Sequence, residues 1–480
     1  MKYISAIIFF LINISLIKNE ELIFVELQSR HGARGPLELN EKNEDLLGEK
    51  WSSLGELSAV GQRMEYVLGL RNRYKYIENN RFLSEKYDPH EILVYSTSLN
   101  RTLLSMTSQL QGLYPDYAKP GEALNEKQLN NSFPNISIDY EEINEELDRL
   151  ENCSLPNYML MIPIHMISGF EKKIVVYDNE DCKLNVKKIT DKNEKEEKNV
   201  INITNNFNQK YGKGINNFYD REEGFKYEFE NISKICDAYI ADYTDTRNMT
   251  QFLEKTEIND KIAFLKECNN VIGINFKDKL YGDHNMEVLR LEESIVLKEM
   301  IHYMKLRVNA DINNETIIVS DYSKPKMVII SGHDTTLAAQ ILFLIKIFQL
   351  DIDKYKLPTY SSQVAVEVSR NKTNTEEKLK YSDYYVKVYF NDDLLLNVTM
   401  DTFINTVEKN IWNQEEIDLF CYGEKKEDIK FNYYLIIIIS ISIIVVALLI
   451  IIIILIAKIK RKEEGEDKDS IDSDNLINDD

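Results

Sequence analysis

The stretch LIFVELQSRHGARGP, Leu22 to Pro36, joins a short apolar run to a turn rich in Gly and Arg. Leu22–Leu27 has the length of a buried strand, and the glycine-containing stretch Ser29–Pro36 closes it, so a strand ending in a loop is expected here. The same grammar recurs twice. Glu91–Tyr95 (EILVY) runs into Ser96–Thr102 and a helical pattern over Arg101–Leu113. Met327–Ile330 (MVII) runs into Ser331–Thr336 and a helix-like run over Thr335–Phe348. Strand–loop–helix units of this kind predict an α/β domain whose sheet is covered by helices on both faces. Gln363–Val368 and Tyr384–Phe390 alternate as strands, and Asn391-Asp392-Asp393 turns toward Leu394–Val398, which makes the sheet mixed.

Between these ends the texture changes. Pro115 to about Leu280 is rich in Tyr, Asn, Lys and Glu and poor in β-like runs, as expected of an inserted, mostly helical smaller domain. Lys183–Lys213, almost entirely charged or amide, reads as a mobile surface insertion. Arg370–Lys380 reads as a long hairpin loop. Ser58 is placed to cap a helix that carries Val60, Met64, Val67 and Leu68 on one face.

The three loops share a chemistry. Arg30 and Arg34 flank His31, and guanidinium forks bind a phosphate oxyanion bidentately, while an imidazole between them can attack phosphorus. Gly32 would let backbone approach a ligand. Arg101 opens a helix after a strand, a place where backbone N–H groups favour an anion. His333 and Asp334 would add a phosphate-binding imidazole and a carboxylic acid for the leaving oxygen. Each loop alone has a plainer reading: an exposed basic turn for the first, an N-cap at Ser98 or Asn100 for the second, an N-cap at Asp334 for the third. Together they place three Arg, two His and a carboxylate at the carboxyl ends of strands, where open α/β sheets hold their ligands. His90, His165, His284 and His302 show no metal-ligand spacing.

The 480-residue chain carries a formal net charge of −21, which argues against nucleic acid as a partner. Lys2 precedes an apolar run, Tyr3–Ile17, of signal-peptide size, so residues 1–19 are expected to be removed. Tyr433–Ala457 is long enough to span a bilayer, and Lys458, Lys460, Arg461 and Lys462 behind it place the C-terminus in the cytosol. Residues 20–430 would then form a lumenal or extracellular ectodomain. Cys153, Cys182, Cys236, Cys268 and Cys421 and sequons from Asn130 to Asn397 suit that side. The acidic tail, residues 458–480, contains Asp472-Ser473-Asp474-Asn475-Leu476-Ile477, a match to an acidic dileucine sorting signal.

The motifs RHGARGP from Arg30, NRTLLSM from Asn100 and SGHDTTLAA from Ser331 resemble those of the histidine acid phosphatases, the group of the lysosomal and prostatic enzymes. Leu57–Arg63 looks like that family's LTxxGxxQ helix start, and order and spacing agree from about Leu22 to Cys421. The resemblance implies a phosphoglycerate mutase-like fold and hydrolysis of phosphomonoesters through a covalent phosphohistidine on His31. It implies Arg30, Arg34, Arg101 and His333 as phosphate ligands, Asp334 as proton donor, and no metal or cofactor. It also suggests Cys153 with Cys421 as a disulfide, by rough position. Asn100 stands where the family usually has Asp, and Tyr95 where an Arg is frequent. Asn100-Arg101-Thr102 is itself a sequon, expected to stay unmodified because a glycan would obstruct the pocket. A silent binding module on the same fold, a phosphomutase and a phytase-like enzyme are the alternatives; the membrane signals disfavour the mutase. The partners expected are phosphomonoesters, the membrane and sorting adaptors, with room for a homodimer. The location expected is endosome, lysosome or cell surface.

Overall fold

The computed structural model describes residues 20–37, 54–115, 123–132, 144–156, 159–166, 180–219, 221–245, 256, 258–282, 286–313, 315, 324–371, 379–422 and 437–459. The expected signal peptide, the sorting motif and most of the expected 370–380 loop lie outside the described residues.

A mixed seven-stranded sheet carries the fold, in the order β3-β2-β4-β1-β5-β6-β7. Its strands are β1 (Glu20–Arg30), β2 (Ile92–Ser96), β3 (His165–Met166), β4 (Met327–Gly332), β5 (Gln363–Asn371), β6 (Tyr384–Phe390) and β7 (Asp393–Thr399). β3, β2, β4 and β1 run parallel, and β5, β6 and β7 continue antiparallel. The predicted strands are all present. β1 lies between β4 and β5, so it is shielded on both edges and both faces, which is why its apolar run shows no clean alternation.

The helices are α1 (Ala59–Arg73), α2 (Asn100–Leu113), α3 (Glu126–Asn131), α4 (Asn144–Leu150), α5 (Glu180–Glu196), α6 (Lys198–Phe218), α7 (Phe229–Thr244), α8 (Lys261–Ile274), α9 (Met286–Ile312), α10 (Asp334–Ile347) and α11 (Met400–Asn410). Val25 and Leu27 of β1 share one core with Val94, Ile329 and, from α2, Met106 and Leu110. Glu26, the residue between them, faces the other way, toward Glu293 of α9. Helices thus cover both faces of the sheet.

Ser58 caps α1 as expected, its Oγ accepting from the Gly61 N–H at 3.1 Å. The buried face of α1 is not the apolar one, however. Gly61, Glu65, Gly69 and Asn72 are buried, whereas Val67 is exposed. Small residues win because α1 and α2 touch backbone to backbone: a Cβ on Gly69 would stand 2.0 Å from the Gln109 carbonyl oxygen. Close helix approach overrides the apolar stripe here.

Between α2 and α9 the described secondary structure is helical apart from β3. Lys183–Lys213 is not a mobile insertion: it forms most of α5 and α6. Val200, Ile203, Phe207, Tyr211 and Ile215 recur at helical spacing and are buried, together with Phe229, Ile232, Tyr239, Phe264 and Val271 of α7 and α8. Sparse apolar residues at the right period suffice for a core when aromatic rings fill it. Cys153 is a free thiol, which overturns its expected pairing with Cys421.

The chain from Asn413 onward is a separate compact unit. It holds α12 (Gln414–Tyr422) and an apolar helix, α13. α13, Ile437–Ile459, has 23 residues and an 18-residue stretch of mean hydropathy 3.7, long and apolar enough to cross a membrane. It overlaps the expected span.

Candidate active site

The three loops meet because the parallel register brings their strands to an end together. Ser29 and Ser96 both pair with Ser331, and Arg30 pairs with Gly332. Backbone bonds continue past the strands: the His31 N–H donates to Gly332 O (3.1 Å) and the Thr97 N–H to Ser331 O (3.2 Å). The His31 carbonyl accepts from the Ser361 N–H (3.2 Å), and the Gly32 N–H donates to Ser105 Oγ (3.1 Å). The close approach that Gly32 permits is to helix α1, since a Cβ there would lie 2.3 Å from the Gly61 carbonyl oxygen. It seats the loop against α1.

His31 is buried. Its Nδ1 lies 2.8 Å from the Gly32 carbonyl oxygen, which can only accept, so Nδ1 carries the proton and Nε2 keeps its lone pair. Burial, then Arg30, Arg34 and His333, hold the imidazole well below its ordinary pKa of 6.5. The ring is therefore neutral at pH 6.5 and well below it. The His333 ring stands 5.6 Å away, edge-on, and the Tyr360 ring 5.9 Å away.

Arg30 pairs with the Asp334 carboxylate at 2.7 Å and donates to Pro358 O at 2.8 Å. Its guanidinium lies 4.3 Å over the Tyr360 ring, which holds the plane of the fork. Arg34 makes a bidentate pair with Asp237 of α7, at 2.9 and 3.2 Å. Arg101, opening α2, has its pKa drawn down to about 10 by burial and then by Arg34. The buried Nε atoms of Arg30, Arg34 and Arg101 have no hydrogen-bond partner. The three guanidiniums line one cavity, a concentration of positive charge that an anion would balance.

His333 is pulled down to about 4 by burial and by Arg101, and its Nε2 lies 3.1 Å from Thr97 Oγ1. Thr97 in turn bonds Thr102 at 2.7 Å, which locks the ring. Burial alone would raise the pKa of Asp334; Arg30, Arg34 and His333 outweigh it and hold the carboxyl below its usual range. Its Oδ1 accepts from the Thr335 N–H at 2.9 Å. Asp334 is therefore ion-paired as well as at a helix start. Leu99, rather than Ser98 or Asn100, occupies the N-cap of α2, and Asn100 instead reaches Glu56 at 3.2 Å.

All six expected residues line one cavity of about 820 Å³, closed on its far side by α7 and α8. Three neighbours carry no clear signal in the sequence. Tyr360 precedes β5, whose antiparallel course returns its start to the end of β1 (Ser29 pairs with Gln363), a juxtaposition invisible before the pairing is known. Asp237 is one of many carboxylates on helical polar faces. Thr97 lies inside the loop after β2, but nothing in the sequence ties it to His333.

A fold with a catalytic-type His, three Arg and a His-Asp pair at one sheet edge defines a phosphoryl-handling class. The model of the histidine phosphatase superfamily (branch 2) matches residues 21–391, and the chain belongs to that family. Prostatic acid phosphatase of Rattus norvegicus is 25% identical over 385 residues, covering 78% of this chain and 79% of that protein. Lysosomal acid phosphatase of Xenopus laevis is 25% identical over 388 residues, covering 79% and 72%. Among solved structures, Hafnia alvei phytase in complex with myo-inositol hexakis sulphate aligns with a TM-score of 0.50 at 12% identity, over 82% of this chain and 98% of that one, a likeness of fold.

Proposed function

We propose that this chain hydrolyses phosphomonoesters by forming and breaking a phosphohistidine at His31. One observation carries the reading: a neutral imidazole with a free Nε2 faces a cavity walled by three guanidiniums and an Asp-Arg ion pair.

The phosphate dianion takes its place among Arg30, Arg34, Arg101 and His333. Near it the site holds three guanidiniums and the two carboxylates of Asp334 and Asp237, one positive charge in excess. A bound dianion overshoots by one negative charge, and a proton on Asp334 restores the balance. Substrate binding thus arms Asp334 as an acid. His31 Nε2 attacks phosphorus, the ester P–O bond breaks, and the leaving oxygen takes the Asp334 proton. Asp334, now a carboxylate, accepts a proton from water as that water attacks the phosphohistidine and releases phosphate. The guanidiniums stabilise the charge on the transferring group throughout.

The test is turnover of an aryl phosphate by the full chain in detergent, against His31→Ala. Loss of phosphate release in the variant is expected; equal turnover overturns the reading. The domain plan supports a setting for it: a cleaved signal over residues 1–19, an ectodomain over 20–430 facing the lumen or exterior, one span at 433–457 and a cytosolic tail. If adaptors read Asp472, Leu476 and Ile477, the enzyme reaches endosomes or lysosomes, and replacing Leu476 and Ile477 by Ala moves it to the cell surface. An unchanged distribution would sink that assignment.

A further inference from the structure

The cavity is far larger than a phosphate needs. At about 820 Å³ it has the volume that encloses a drug-sized molecule. The character of its far wall follows from helical spacing. On α7, residues 237, 240 and 244 face the cavity, and on α8 and the turn beyond it residues 265, 269, 272 and 276 do the same. These positions step by three and four, one stripe per helix. The opposite stripes, with Tyr239, Phe264 and Val271, are spent on the helical core. Ile240, Leu265 and Ile272 pack against that core while still partly open, so they give the cavity an apolar strip, set among the polar Asp237, Thr244 and Asn269 of the same stripes. Phe276, just beyond α8, also lines the cavity.

Charge on this side is cancelled. Beyond the three Arg residues, Lys234 and Lys279 are the cations lining the cavity among the described residues. Lys279 is paired with Glu194 at 2.6 Å and Lys234 with Glu230 at 3.2 Å. Asp237 adds a negative charge between the wall and the phosphate site. A second phosphate on the substrate would meet carboxylates, apolar side chains, neutral ones such as Ser233, Thr244 and Asn269, and two lysines that already hold a carboxylate.

We infer that the α7–α8 wall selects monophosphate esters of uncharged, apolar, ring-sized alcohols and disfavours polyphosphorylated ones. The inference rests on the phosphatase reading above and goes beyond it by assigning the leaving-group site to Ile240, Leu265, Ile272 and Phe276. The phosphate lies at the sheet edge, the leaving oxygen at Asp334, and the alcohol against the wall.

Methyl phosphate and cyclohexylmethyl phosphate have leaving oxygens of similar basicity and differ in apolar bulk, so their kcat/KM ratio reads the wall and not the chemistry. With the full chain in detergent the ratio is expected to be at least about tenfold in favour of the ring, as methylene discrimination in apolar pockets implies. Inositol hexakisphosphate should fall below methyl phosphate. Ile272→Asn should collapse the ratio severalfold, and Ile272→Val should keep it. Should Ile272→Asn fail to fold, Ile240→Asn on the facing helix gives the same reading. A ratio near one in the wild type, or a preference for the hexakisphosphate, overturns the inference while leaving the phosphatase intact. No turnover of any ester overturns both.

Discussion

The loops at the ends of β1, β2 and β4 and the wall made by α7 and α8 face each other across one cavity, yet they are built on opposite terms. The loops concentrate charge where the sheet allows it. Their backbones are pinned to one another by parallel register, and every side chain assigned chemistry leaves from within four residues of a strand end or opens a helix. The wall spreads a few apolar residues over helical turns and reaches the chemistry through one pair, Asp237 with Arg34. On the proposed reading, reaction type belongs to the first region and selectivity to the second, and changes in each should separate accordingly.

The largest effect is expected at the loops. His31→Ala should lower kcat by at least about 1,000-fold on every ester, since an absent nucleophile is not compensated by binding. A loss that depends on the alcohol would erase the division between the two regions. Next comes Asp334→Asn, which keeps a hydrogen-bonding side chain and removes the proton. Loss of a general acid is worth roughly 100- to 10,000-fold, and it should fall on alkyl esters far more than on esters of acidic phenols. In the wild type, kcat for alkyl esters should decline as pH rises and Asp334 loses its proton in the complex. His31 stays neutral well below pH 6.5, so acid should spare the nucleophile. Asp334→Asn should lose that decline in a pH–rate series; a decline that persists would assign the acid elsewhere.

Asp237→Asn probes the single bridge between the regions. Breaking the bidentate pair releases Arg34 from its orientation, and we expect about a tenfold loss in kcat/KM for every ester, of the size a misplaced charge-assisted bond brings. Asp237→Glu should restore part of it, expressed mainly in KM. No change in steady-state constants would reduce the wall to a passive boundary.

The smallest effect on turnover concerns the strand behind the loops, where the change is in stability. Burial raises the Glu26 carboxyl from 4.5 to about 8. Below about 4.5 both folded and unfolded forms hold the proton. Above it the unfolded chain releases a proton the folded chain keeps, so stability drains as pH rises toward 8, by at most about 1.4 kcal/mol per pH unit. Glu65 is also raised to about 8 by burial, against the Ser361 hydroxyl bonded to it, and adds in the same direction. Thermal unfolding at pH 5 and pH 8 should show the protein more stable in acid, and Glu26→Gln should shrink the gap. A gap that widens would mean that Glu26 is charged in the folded state.

The same contrast explains what the sequence revealed. β1, β2 and β4 were legible because each packs a short apolar run against a turn, and the six charged or imidazole side chains stood in those turns. Tyr360 and Asp237 were not, because each comes to the site through tertiary pairing: one by the antiparallel return of β5, the other by a helix whose carboxylates look alike. Lys183–Lys213 misled for a different reason. Its charge masks Val200, Ile203 and Phe207, whose helical period carries the core. The face of α1 misled because glycine contact, not apolar area, decides it.

The central claim is the covalent bond at His31. Mixing the full chain with a radiolabelled phosphomonoester and quenching within a turnover should trap a phosphoprotein whose label survives alkali and is lost in acid, the signature of phosphohistidine, on the peptide containing His31. His31→Ala should carry none. Label that is absent from the wild type, or that persists in the variant, would contradict the account.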